Sequence, residues 1–188
     1  MLRLSFALVT TALAVGAGVI AGAAPASAAP APAPAAVVTL TYDDSLAAEF
    51  KSAVAQGAAN WNASVTNVRL VKAASGQRVN IRVIADNDWP RATLGPVRPT
   101  GSGTVWFGRE AVNDGYNVVR IITHEFGHSL GLPDRRTGLC SDLMSGSSAP
   151  VSCANALPNA TERAQVQRNY ASALVAQPAQ TTILVDAA

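Results

Sequence analysis

At 188 residues the chain has length for one core of ordinary size, with residues to spare at its ends. Fourteen Lys and Arg against twelve Asp and Glu leave a net charge of +2, and the basic residues are scattered singly apart from Arg135-Arg136, which argues against a nucleic-acid surface. Hydrophobic residues make up 49% of the sequence, but Ala- and Val-rich ends inflate that figure, and beyond the N-terminal segment no apolar run is long enough to span a bilayer.

Met1 to Ala28 opens on Arg3, continues through a small, apolar run from Leu4 to Ala24 and ends in Ala26-Ser27-Ala28, the pattern of an export signal. Gly16, Gly18, Gly22 and Pro25 break the run, which disfavours a membrane anchor. Ala29 to Val37 alternates Ala and Pro and reads as a short linker or pro-segment. The folded domain is expected over 38–176, secreted, with 177–188 as a flexible tail.

Within that domain Val38 to Tyr42 reads as a strand, and Asp44 as the cap of a helix from Ser45 to about Trp61, with Leu46, Phe50, Val54 and Ala58 at four-residue spacing. Val68 to Val71, Val79 to Ile84 and Thr104 to Phe107 read as strands. Asp86 to Gly103 holds three prolines and three glycines and reads as a surface loop. A second helix is expected from about Tyr116 to Leu130, ended by Gly131. Leu132 to Pro158 reads as irregular chain carrying Cys140 and Cys153, which export would pair in one disulfide. Asn159 with Glu162 three residues on marks a capping box for a last helix to about Val175. This order of strands and helices points to an α+β domain.

Chemistry concentrates in the window His124-Glu125-Phe126-Gly127-His128-Ser129-Leu130-Gly131-Leu132-Pro133-Asp134. On a helix advancing about 100° per residue, His124 and His128 lie about 40° apart, one turn above the other, so both imidazoles can reach one ion. Glu125 sits about 100° round from His124, placed to accept a proton from a water rather than to share the coordination. Asp134, six residues beyond His128, would face away if the helix continued. Gly131 permits a left-handed exit that brings its carboxylate back. Two imidazoles and one carboxylate with an open fourth position are the pattern of a catalytic zinc rather than a structural one. The chain has only two histidines, and both fall in this window, so an accidental match is disfavoured and no free histidine remains to activate Ser129 as a nucleophile. Downstream, Asp142-Leu143-Met144-Ser145-Gly146 places a methionine in a tight turn, similar to the Met-turn that packs beneath such a metal. A zinc hydrolase acting on a non-peptide amide, and an inactive secreted zinc-binding relative, are the alternative readings.

The motif ending in Asp, the turn at Met144 and the cysteines that bracket it resemble the snapalysin family, small neutral zinc metalloproteases secreted by Streptomyces. The resemblance covers about Val38 to Val175. It implies a metzincin-like fold: a twisted mixed sheet with an active-site helix, and a smaller C-terminal subdomain with one helix. It also implies a metalloendopeptidase that hydrolyses peptide bonds in extracellular proteins, favouring an aromatic residue just after the scissile bond. His124, His128 and Asp134 would be the ligands of one catalytic zinc and Glu125 the general base, in a monomer whose partners are protein or peptide substrates. Two positions depart from the family. Its calcium site, built around an Asp before the zinc helix, meets Asn117 here, which puts calcium in question. An aromatic residue two positions after the third ligand is replaced by Arg136.

Overall fold

The computed structural model describes residues 36–171 and 182–186. The expected export signal, most of the Ala/Pro segment, the end of the last helix toward Val175 and the first residues of the tail lie outside these residues.

A mixed sheet forms the frame. Its strands, in spatial order β2-β1-β3-β5-β4-β6, are β1 (Val38–Leu46), β2 (Val68–Lys72), β3 (Ile81–Asp86), β4 (Arg91–Thr93), β5 (Gly103–Gly108) and β6 (Ile183–Val185). The first four in that order run parallel, while β4 is antiparallel to β5 and β6 antiparallel to β4. In β1 the side chains of Val38, Leu40 and Tyr42 alternate into the core, as a period of two requires. Helices α1 (Lys51–Ser64), α2 (Arg109–Asn113), α3 (Val118–Ser129) and α4 (Ala160–Asn169) complete the α+β domain.

Several boundaries differ from the sequence reading, each for a local reason. Asp44 does not cap a helix. Its carboxylate takes the Lys72 ammonium at 2.8 Å, and β1 continues to Leu46, paired with Ile84 of β3. A short 3-10 turn, Ala48–Phe50, then leads into α1. The strand expected from Val79 starts at Ile81, and the Asn80 side chain just before it donates to the carbonyls of Arg98, Pro99 and Gly101. The expected loop 86–103 contains β4, and the expected frayed tail contains β6. Both are three-residue strands that exist only through pairing and leave no periodicity to read.

Helix α3 lies against α1 in the core. Gly57 of α1 allows close approach: a Cβ there would stand 3.0 Å from Ile122 Cγ2. Trp61, fully buried, donates its indole N–H to the Thr123 carbonyl at 2.8 Å. On the other side Phe50 stacks on Phe107 with ring centroids 4.0 Å apart. The irregular stretch after α3 lacks a sheet to order it and is held otherwise. Cys140 and Cys153 form the expected disulfide, and the buried Arg120 guanidinium donates to the carbonyls of Cys140, Asp142 and Asn155. The capping box of α4 is present, and Glu162 extends beyond it: one carboxylate oxygen accepts from Asn159 N and the other from Met144 N, both at 2.7 Å. That one side chain ties the start of α4 to the methionine turn.

Candidate metal centre

Asn117 begins α3, its side chain accepting from Arg120 N at 2.9 Å, and the helix then carries His124, Glu125 and His128 into the interior, all three buried. The helix ends as a Schellman motif: Gly131 N donates to His128 O at 2.8 Å and Leu132 N to Gly127 O at 2.9 Å, with Gly131 at φ +92°. This turn reverses the chain and returns Asp134 to the imidazoles. Asp134 Oδ1 stands 3.3 Å from His124 Nε2 and 3.5 Å from His128 Nε2.

The far side of each ring is fixed. His124 Nδ1 donates to Leu143 O at 3.0 Å and His128 Nδ1 to Leu132 O at 2.7 Å, since a carbonyl can only accept. In each neutral ring the proton therefore sits on Nδ1, and Nε2 presents a bare lone pair. Among the described residues five inward atoms are buried with no hydrogen-bond partner: His124 Nε2, His128 Nε2, both Glu125 carboxylate oxygens and Asp134 Oδ1. Each such orphan costs about 1–3 kcal/mol, and charged ones more. A divalent cation held by both Nε2 atoms and Asp134 Oδ1 would remove the cost of those three, and a water on it would give Glu125 a donor. At zinc bond lengths of about 2.0–2.1 Å, two ligands of a tetrahedral ion stand about 3.3 Å apart, which matches the separations of Asp134 from both rings. The donor set of two imidazoles and a carboxylate suits zinc.

Without an ion, the cluster's charges are at odds. Burial drives the Glu125 carboxyl well above the usual range, and the Asp186 and Asp134 charges push it the same way against His124 and Arg91. Burial and the neighbouring His124 hold His128 down at about 3. His124 is held up at about 9, because the surrounding Asp134, Asp186 and Glu125 outweigh its burial.

Met144 is buried beneath the helix; a Cβ on Gly127 would come within 2.6 Å of its Sδ. Arg136, in the left-handed region at φ +45°, reaches the outer oxygen of Asp134 at 3.4 Å and the Val185 carbonyl at 3.3 Å. Next to His124 opens a small cavity whose lining is mainly apolar, with Trp89, Ala111, Tyr116, Ile121 and Leu143, and includes the polar Asn117, Arg120, Ser147 and Asp186. The sequence reading missed Asp186. Its carboxylate Oδ2 lies 3.9 Å from His124 Nε2, and no local pattern around Ile183-Leu184-Val185-Asp186 signals this.

Comparison with known proteins gives the family. Residues 37–173 match the family described as Streptomyces extracellular neutral proteinase (M7). An extracellular small neutral protease of Streptomyces coelicolor is 40% identical over 143 residues, which are 76% of this chain and 64% of that protein. The chain thus spans just under two thirds of that relative's length. A protein of the same description from Streptomyces caespitosus is 38% identical over 135 residues, 72% of this chain and 98% of the relative. Among solved structures, archaemetzincin from Methanopyrus kandleri is 15% identical with a TM-score of 0.46 over 71% of this chain and 95% of its own. At that level the likeness says nothing about chemistry. The family match and the curated relatives together show that the chain belongs to the Streptomyces extracellular neutral proteinase (M7) family.

Proposed function

We propose that this chain is a secreted zinc-dependent endopeptidase, exported by the segment Met1 to Ala28 and acting as a monomer on extracellular proteins. The observation that carries the reading is the set of five unpartnered buried atoms from His124, Glu125, His128 and Asp134 directed into one space. His124, His128 and Asp134 would hold the metal. Zinc bound there supplies an electrophile for the peptide carbonyl and acidifies a water toward neutrality.

The chain's own residues do the rest. The Nδ1–H bonds to Leu132 and Leu143 keep both rings aimed, and Arg136 steadies the outer oxygen of Asp134. Glu125, buried and free of any protein partner, accepts a proton from the attacking water and passes it to the leaving amine.

Glu125→Gln tests the reading. The variant is expected to bind zinc at the parental stoichiometry and to lose casein hydrolysis by about 10²- to 10⁴-fold, the usual worth of a positioned proton acceptor. Parental turnover by the Gln variant would sink the assignment.

A further inference from the structure

We infer that Asp186, carried in by β6, is a fourth protein ligand to the zinc that closes the centre while β6 is in place, so that hydrolysis proceeds in molecules whose β6 has come away. The inference rests on the zinc reading above and adds a residue outside the motif.

The backbone of β6 is fastened to β4 at both ends. Leu94 N donates to Thr182 O at 2.7 Å and Asp186 N to Pro90 O at 2.9 Å, with Ala92 paired to Leu184 between them. The strand buries little in return, since Ile183 and Val185 are 49% and 46% exposed. Asp186 is the exception. Its side chain is buried in a cradle: Oδ1 accepts from Ser147 N at 2.9 Å and fills the space where Gly146 has no side chain, so that a Cβ there would lie 2.2 Å from it. The other oxygen, Oδ2, lies 3.9 Å from His124 Nε2, an atom that is itself buried and without a hydrogen-bond partner. One donor atom each from His124, Asp134 and Asp186 lie within 4.8 Å of one another.

Glu125, Asp134 and Asp186 thus bring three carboxylates into one buried space. Like charges in such surroundings repel unless a cation lies between them. Arg136 donates to Asp134 Oδ2, the Val185 carbonyl and Ser147 Oγ, and so couples the metal ligand to the incoming strand. With Asp186 coordinated, two imidazoles and two carboxylates complete a tetrahedral set, the closed arrangement that binds zinc without chemistry. The same strand also covers the free edge of β4, where an extended peptide would otherwise add by backbone pairing. Release of this segment would open the metal's fourth position and the sheet edge together.

The test uses the full chain, its Asp186→Asn and Asp186→Ala variants, and each variant combined with Glu125→Gln. Zinc retention is measured by chelator competition. Access to the fourth position is read from the visible spectrum of the cobalt-substituted protein on addition of acetohydroxamate. Both single variants are expected to release zinc at least about tenfold more readily and to show a hydroxamate-induced spectral change that the parent lacks. Casein hydrolysis should rise in Asp186→Asn and vanish when Glu125→Gln is added. If the variants match the parent in zinc retention and hydroxamate response, Asp186 is not a ligand, while the zinc reading stands. If neither parent nor variants take up stoichiometric metal, the zinc reading fails and this inference with it.

Discussion

Glu162 gives a sharp test of how the methionine turn is held. Its carboxylate, buried in the fold, accepts two backbone hydrogen bonds of 2.7 Å, one from Asn159 N at the start of α4 and one from Met144 N. Glu162→Ala takes the acceptor from both N–H groups. Hydrogen bonds to a charged acceptor contribute about 1.5–3 kcal/mol each, so the loss should be about 3–6 kcal/mol. Glu162→Gln retains one acceptor oxygen and places an NH₂ against the other donor, so at least half of that loss should appear. Domains of this size are stable by only about 5–15 kcal/mol, which makes the Ala variant severely weakened. Urea unfolding with the disulfide intact reads the effect. At a slope of about 2 kcal/mol per molar, a loss of 4 kcal/mol moves the midpoint down by about 2 M. An Ala variant whose midpoint stays within about 0.3 M of the parent would refute the reasoning, because it would mean that neither N–H depends on this carboxylate.

Arg120→Met removes the guanidinium that donates to the carbonyls of Cys140, Asp142 and Asn155 while keeping the stem's packing. A loss of about 2–4 kcal/mol is expected by urea unfolding, and rapid proteolysis between Cys140 and Asn155 should accompany it. Gly127→Ala drives a methyl group against Met144 Sδ and Trp61 Cζ2 and should destabilise the fold by about 1–3 kcal/mol, read as a lower melting temperature; an unchanged one would mean that the turn yields freely. Metal affinity should also depend on pH in a stated direction. With His124 up at about 9 and His128 down at about 3, the metal-free chain carries a proton on His124 that must leave before the ring can coordinate. Acidification therefore weakens binding, about tenfold per pH unit between about pH 5 and 8, with at least one proton released per zinc by calorimetry in two buffers. A flat profile there would show that His124 is already neutral.

Legibility from sequence tracked how local each signal was. Helix α3 could be read because its apolar stripe, its histidine spacing and its terminal Gly131 all belong to one short window, and the structure brings His124, His128 and Asp134 together as that window implies. The capping box at Asn159 was equally local. Asp44 was misread for the opposite reason: it has the chemistry of a cap, but Lys72, far along the chain, takes its carboxylate and leaves the backbone extended. Strands β4 and β6 carry no pattern of their own, since each is three residues long and defined by its neighbour. Asp186 was invisible because its meaning comes from Gly146 and Ser147, which surround it only after folding. The second duty of Glu162 at Met144 N was hidden in the same way.

The two Nδ1 contacts carry a consequence beyond aiming the rings. Leu132 and Leu143, whose carbonyls they hold, both lie in the sheetless stretch that follows α3. An imidazole drawn toward an ion on one side becomes a stronger donor on the other, so occupancy of the centre is transmitted as tension on this stretch. An ion held by both rings would act as a keystone, locking the chain that turns beneath it, and folding would then depend on the protein's surroundings, because the last part of the structure to tighten would be supplied from solution and not from the sequence.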